Sequence, residues 1–282
     1  MNDVPGLNTT QYGDHGSRVV FLHGLFGQGR NWTQIAKALA GEHRVVLVDL
    51  PDHGRSRWTP GPPEGRGFDF LDVADTVAAL LDQDDPVALV GHSLGGKVAM
   101  VLALRHPHLV ERLCVVDISP VDYGNLTEFA GYVEAMRALD LDALTQRADA
   151  EEAMSGPVPD VGVRAFLLQN LRRETGPGGG WHWQQNLEGL GRDLPVIKSW
   201  PEDRLAGLAA YEGLVLWLAG ETSRYVTDAY APAMDRWFPR NRRVTIKNAG
   251  HWVHSEQPEV FLEVLRRFLD QHSLDQHSSD QR

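Results

Sequence analysis

Apolar residues along this chain fall into short runs separated by stretches of helical spacing. Val19-Val20-Phe21-Leu22, Val45-Val46-Leu47-Val48, Val87-Ala88-Leu89-Val90 and Leu113 to Asp117 read as four strands. Near-continuous apolar runs suit parallel strands covered on both faces. Between them, Trp32, Ile35, Ala36 and Leu39 recur at helical spacing, with Gly41 as a stop. Phe70, Val73, Val77, Leu80 and Leu81 share one face of a second helix, and Lys97 to Arg105 forms a third, ended by Pro107. The order β-α-β-α-β-α-β predicts an α/β fold: a doubly wound, mostly parallel sheet with right-handed crossovers.

From Pro120 to about Ala210 the rhythm stops. Helical stretches at Phe129 to Leu139, Leu141 to Met154 and Val163 to Leu171 are broken by Pro and Gly clusters. After Gly176-Pro177-Gly178-Gly179-Gly180, Trp181-His182-Trp183 alternates like a short strand. The rhythm resumes with the strand Leu214 to Leu218, a helix Ala229 to Trp237, the strand Val244 to Ile246 and a helix Pro258 to Leu269. The pattern predicts a body made of residues 1–119 and 211–270, an inserted helical cap at 120–210, and a polar, disordered tail at 271–282.

Composition narrows the function classes. The 282 residues are 42% apolar and 23% charged, ordinary for a globular protein. The 27 Lys+Arg against 38 Asp+Glu give a net charge of −11, which argues against nucleic-acid partners and anionic lipid surfaces. The single cysteine, Cys114, excludes an internal disulfide and a cysteine-based zinc cluster, and its apolar setting predicts an inert buried thiol. Met1 to Gly6 lacks the basic and apolar regions of a signal peptide, and no apolar run reaches the ~18 residues of a spanning helix. The expectation is a cytoplasmic protein without stable membrane association, monomeric or dimeric.

The chemistry concentrates at Gly91-His92-Ser93-Leu94-Gly95, a Gly-x-Ser-x-Gly between a strand and a helix. Small residues at both ends let the chain pass close to itself and push Ser93 out of the sheet as a candidate nucleophile. The Leu94 N–H then lies at a helix N-terminus, where a developing oxyanion is favoured. His23-Gly24 after the first strand supplies a second candidate donor, the Leu25 N–H. Near the C-terminus, Asn248-Ala249-Gly250-His251-Trp252 can return a histidine over the strand ends toward Ser93. His251 and His254 also have the spacing of helical metal ligands, but no third ligand follows and Gly250 indicates a loop, so neither metal nor cofactor is expected.

These segments resemble the α/β-hydrolase fold superfamily and, within it, the YbfF-type serine acyl esterases. The likeness runs through His23 to Gly27, Asn31-Trp32, Asp52 to Ser56, Gly91 to Lys97, Val116 to Pro120 and Gly250 to His254, covering about Arg18 to Leu269. The Ser motif is widespread, whereas Gly95-Gly96-Lys97 and Asp117 to Tyr123 are narrower. In most superfamily members the triad acid follows the strand that here ends at Leu218. Here the usual place holds Ser223 or Arg224, with Glu221 slightly early. The YbfF-type resemblance implies Asp117 as the acid, with Glu221 as the alternative.

The resemblance implies a serine hydrolase of carboxylic esters or thioesters, short acyl or acyl-CoA-like, working through an acyl-enzyme on Ser93. Aspartate-nucleophile dehalogenase and epoxide hydrolase chemistry is disfavoured by the serine. Alternatives are a carbon–carbon hydrolase or lyase using the same triad, and a non-turnover ligand receptor on a hydrolase scaffold. Phe26, His92, Trp181, Trp183 and Trp252 are candidate substrate contacts, with Phe129, Tyr132 and Met136 as further apolar cap residues. Lys97 reads as a helix-surface residue. A phosphate-bearing substrate directs attention to Lys97 and Arg172-Arg173 as local positive charge.

Overall fold

Alternation along the central strands divides the interior in two. Val19, Phe21, Val45, Leu47, Val90 and Val116 enter one apolar core, and Val20, Leu22, Val46, Val48, Leu89 and Val115 enter the other. The computed structural model describes residues 1–124, 128–176 and 179–270. The expected tail at 271–282 lies outside the described residues, as do Pro177 and Gly178.

Nine strands are described: β1 (Thr9–Tyr12), β2 (Arg18–Leu22), β3 (Arg44–Val48), β4 (Val87–His92), β5 (Val110–Val116), β6 (Leu171–Arg173), β7 (Trp181–Trp183), β8 (Leu214–Gly220) and β9 (Asn241–Ile246). The helices of the first half are α1 (Thr33–Leu39), α2 (Phe70–Ala78) and α3 (Leu94–Arg105). Between β5 and β8 lie α4 (Glu128–Arg137), α5 (Arg147–Ala153), α6 (Val161–Leu168), α7 (Leu187–Lys198) and α8 (Glu202–Leu205). The chain closes with α9 (Ala231–Trp237), α10 (Val253–Glu256) and α11 (Pro258–Leu269).

Seven strands form one sheet in the order β1-β3-β2-β4-β5-β8-β9. Only β1 runs antiparallel, beside β3. This is the expected mostly parallel α/β sheet. The carboxyl ends of β4 and β5 lie side by side at its centre, where ligands gather in open α/β sheets. Helices α1 and α11 pack on the face of Phe21 and Val116, while α2, α3 and α9 pack on the other.

The structure redraws several elements. The helix expected from Asn31 begins as a 3₁₀ turn at Gly29–Trp32, with Gln28 and Asn31 capping reciprocally. The stretch Leu141 to Met154 keeps only α5, because Asp149 gathers the N–H of Thr145 and of Gln146 and so starts the helix late. The helix expected to reach Leu171 stops at Leu168, and Leu171 pairs with Trp183 instead. Helix α7 was not expected. Its internal Pro195 lies in the last turn, where it leaves the Gly191 carbonyl without its helical N–H, and the helix ends three residues later.

Candidate active site

Each side chain of the site is set by a turn at the sheet's carboxyl edge. Ser93 joins β4 to α3 at φ +51°, ψ −117°, a conformation costing roughly 1–3 kcal/mol for a residue with a side chain. The neighbours explain why glycine flanks it. A Cβ on Gly91 would lie 2.3 Å from Gly95 O, and one on Gly95 would lie 2.5 Å from His23 O. Asp117 leaves β5 at a positive φ as well, +52°. The Ser93 N–H donates to Val116 O at 3.0 Å and the Asp117 N–H to Leu218 O at 2.8 Å, so both turns are pinned to the neighbouring strand.

His251, between β9 and α10, completes a continuous line. Its Nε2 lies 3.0 Å from Ser93 Oγ and its Nδ1 2.7 Å from Asp117 Oδ2. An ionised Asp117 can only accept, so Nδ1 carries the proton and Nε2 is left to accept from the serine hydroxyl. Asp117 is fully buried, yet its carboxylate is satisfied three ways. It accepts from His251, from the Gly220 N–H at 3.0 Å and from the Ser223 hydroxyl. Glu221, by contrast, accepts from the Asn248 N–H at 3.0 Å and is exposed. Ser223, at the place where most relatives carry the acid, supports Asp117 rather than replacing it.

Leu25, Leu94 and Ser93 line one cavity of about 380 Å³. Among the described residues neither the Leu25 nor the Leu94 N–H has a backbone acceptor, so both remain free to donate into it. A Cβ on Gly24 would lie 3.2 Å from Ser93 Cβ, and its absence brings the Leu25 amide close to the nucleophile. The rest of the wall is Ile118, Tyr123, Phe129, Ile197 and Tyr225, with the two lysines Lys97 and Lys198.

Around this centre the histidines are neutral. His92 donates from Nε2 to His251 O at 2.8 Å, and burial, then the nearby His251 and His254, hold its pKa well below the usual value. His254 does not approach Ser93. It stacks on Trp32 with ring centres 4.0 Å apart, and burial lowers its pKa to about 3. His23 is lowered to about 3 as well, by burial and then by His53. It accepts from the Leu50 N–H and donates to Gly24 O.

Lys97 corrects the surface reading. Only 1% exposed, it lies under the cavity and donates to Val121 O at 3.0 Å, Lys198 O at 2.7 Å and Ser199 O at 2.6 Å. Burial brings its pKa down to about 7, against the attraction of Asp122. Tyr225 is another residue the sequence did not single out. Its ring centre lies 4.2 Å from that of His251, and its hydroxyl donates to Glu128 at 2.5 Å. Burial, and then that carboxylate, raise its pKa.

Of the expected substrate contacts, the structure brings Trp252 to the His251 side of the mouth, beside Tyr132 and Arg224. Phe26 is 1% exposed and packs on Phe129, outside the cavity wall. His92 lines a separate small chamber with His23 and Trp32. Trp181 and Trp183 are not brought to Ser93. They sit on β7, where the Trp181 indole donates to Leu144 O at 3.0 Å and Trp183 pairs with Leu171. Met136 is fully buried beside the Gln185 amide.

Comparison with known proteins agrees with this fold. The model of the alpha/beta hydrolase fold family matches residues 17–258. The chain is 38% identical over 259 residues to the mouse (Mus musculus) sn-1-specific diacylglycerol lipase ABHD11, covering 89% of this chain and 80% of that protein. It is 30% identical over 264 residues to the esterase YbfF of Escherichia coli (strain K12), covering 93% and 96%. A solved marine microorganism esterase superposes with a TM-score of 0.85 at 30% identity, over 93% of this chain and 98% of that one. Among the described residues no helix is long and apolar enough to cross a membrane. The chain belongs to the α/β-hydrolase fold family, as an enzyme of the esterase type.

Proposed function

We propose that Ser93, His251 and Asp117 are the catalytic triad of a serine hydrolase acting on small carboxylic esters or thioesters. The observation that carries this reading is the unbroken line Asp117 Oδ2–His251 Nδ1–His251 Nε2–Ser93 Oγ, at 2.7 and 3.0 Å. Ser93 Oγ attacks the acyl carbon while His251 Nε2 takes its proton. The Leu25 and Leu94 N–H groups receive the oxyanion, an effect worth roughly 3 kcal/mol per donor. As the tetrahedral intermediate collapses, His251 passes the proton to the departing alcohol or thiol. Water, deprotonated by the same nitrogen, then releases the acid and restores the serine. Asp117 fixes the tautomer and stabilises the imidazolium.

The segment 120–210 acts as a cap that supplies Tyr123, Phe129 and Ile197 to the acyl side of the cavity. With Lys97 and Tyr123 at its inner end, the cavity suits a short acyl group better than a long one. The relatives named above, a diacylglycerol lipase and two esterases, support an ester as the scissile bond.

The test is a screen of p-nitrophenyl esters and matched thioesters over acyl length, beside fluorophosphonate labelling. Steady turnover, with one label per chain lost in Ser93→Ala, is expected. A folded protein that takes no label on Ser93 would overturn the nucleophile. A single burst without turnover would point to a ligand receptor.

A further inference from the structure

We propose that the seam between the C-terminal end of α6 and the loops after β2 and β3 is a binding site for a phosphate group. Three arginines meet there through hydrogen bonds to carbonyls at the end of α6 and start of β6, and a fourth, Arg55, stands near them. Arg30 and Arg55 belong to the body, Arg147 opens α5 and Arg172 lies on β6. Arg30 Nη2 and Arg172 Nη1 both donate to the same carbonyl, Gln169 O, the first at 3.0 Å. Arg147 donates to Leu168 O at 2.5 Å and to Leu171 O at 2.7 Å. Arg55 stands within electrostatic reach of Arg30 and Arg172.

The carbonyls at the end of α6 orient three of these guanidiniums, as a helix C-terminus does for cations. They do not cancel the charge. Among the described residues none of the four arginines forms an ion pair, although the chain carries 38 Asp+Glu against 27 Lys+Arg. The one carboxylate acting on Arg30, Asp49, is engaged by the Gly29 and Arg55 N–H groups and by Asn8 Nδ2. Burial, then the neighbouring guanidiniums, hold Arg30 and Arg172 below the usual arginine range. Like charges gathered on an acidic protein indicate a site shaped for an anion.

A further donor lies at the same seam. Asn31 Oδ1 accepts from the Gln28 N–H, so Asn31 Nδ2 must donate to Gln169 Oε1 at 2.8 Å. That contact fixes the Gln169 amide and leaves its buried Nε2 without an acceptor. Donors therefore exceed acceptors. A planar carboxylate pairs with one guanidinium fork, whereas a tetrahedral phosphate dianion can accept from forks on both sides at once. Because two arginines come from the body and two from the segment between β5 and β8, a bound phosphate bridges them. It can come from a soluble phosphorylated molecule or from the phosphate of a lipid headgroup.

The experiment uses the full chain. Inorganic phosphate is titrated calorimetrically at constant ionic strength, with chloride as control. Saturable binding is expected, weakened by about ten-fold or more in Arg55→Gln/Arg172→Gln. Hydrolysis of p-nitrophenyl acetate without phosphate should stay within about two-fold of the parent, since neither residue touches the serine site. The single variant Arg55→Gln, whose side chain holds no backbone carbonyl, should show the same trend with the fold intact. Co-sedimentation with phosphatidylcholine vesicles, with and without phosphatidic acid, separates the sources. Capture that depends on phosphatidic acid and is lost in the double variant assigns the lipid phosphate. Phosphate binding without capture assigns a soluble phosphate. No saturable phosphate binding beyond the chloride control, or binding unchanged in the double variant, would overturn the site.

Discussion

The body and the inserted segment are held in place by different forces. In the body, β2, β3, β4, β5 and β8 pair in parallel and bury apolar residues on both faces, in the two cores. The apolar side chains of the segment between β5 and β8 join one of these cores, and a set of long-range polar bonds is added to that contact. Lys97 reaches three of its carbonyls, Asn170 Nδ2 donates to Phe26 O at 2.7 Å, Asn186 Nδ2 to Asp52 at 2.7 Å, and the Phe68 N–H to Asp193 at 2.7 Å. Apolar burial tolerates many sequences of similar pattern, whereas each polar bond is specific to its two partners. The line Asp117–His251–Ser93 thus sits on the tolerant part, whereas the segment that supplies Tyr123, Phe129 and Ile197 to the cavity adds partner-specific bonds to its apolar contact.

The largest expected effect lies in the body. Asp117→Asn should lower kcat by about 10⁴-fold with the fold intact, while Glu221→Gln changes it by less than about two-fold. The reverse result in steady-state kinetics would move the acid to Glu221. Next comes the strut beneath the cavity. Lys97→Met takes the ammonium donor from the carbonyls of Val121, Lys198 and Ser199, of which Lys198 O keeps the Tyr123 N–H, and should cost roughly 3 kcal/mol in denaturant unfolding, with faster proteolysis between β5 and β8. A more stable variant would mean that desolvation of the ammonium outweighs its bonds, and the contrast between the two regions would fail.

The buried rings of His23 and His254 give the third effect. The unfolded chain protonates them below about pH 6.5, while the folded chain does so only near pH 3. Stability therefore falls as the pH drops below 6.5 and returns as it rises. From pH 6.5 to 5.5 the pair should cost roughly 2 kcal/mol, measured by urea unfolding at the two pH values. His254→Phe should reduce that loss. The smallest effect belongs to a single tether: Asn186→Ala removes the bond to Asp52 and the cap of α7, and should cost about 1–2 kcal/mol. A change below ~0.3 kcal/mol would show that this tether does not locate the segment.

The same division governed what could be read from the residues in order. The apolar runs of the parallel strands, the glycines around Ser93 and the loop carrying His251 each have a local signature, and the structure places them as that signature implies. Lys97 has none. A lysine two residues after Gly95 reads as solvated until the carbonyls of Val121, Lys198 and Ser199, up to 102 positions away, are seen around it. Trp181 and Trp183 misled for a related reason: aromatic residues mark a pocket or a packing face equally well, and here they build the β6–β7 hairpin. Ser223 is legible in the sequence as one of two residues at the usual acid position. Only the fold shows that its hydroxyl is spent on Asp117.

The placement of Asp117 at the end of β5 has a consequence for modularity. Ser93 and Asp117 are joined by a single β4–α3–β5 crossover, so their separation is a property of neighbouring strands in one sheet. The large excursion toward β8 begins only after Asp117. Exchanging that excursion for one of another length or sequence therefore leaves Ser93 and Asp117 on neighbouring strands of the same sheet. Specificity can be swapped as a cassette, provided the replacement offers acceptors to Lys97.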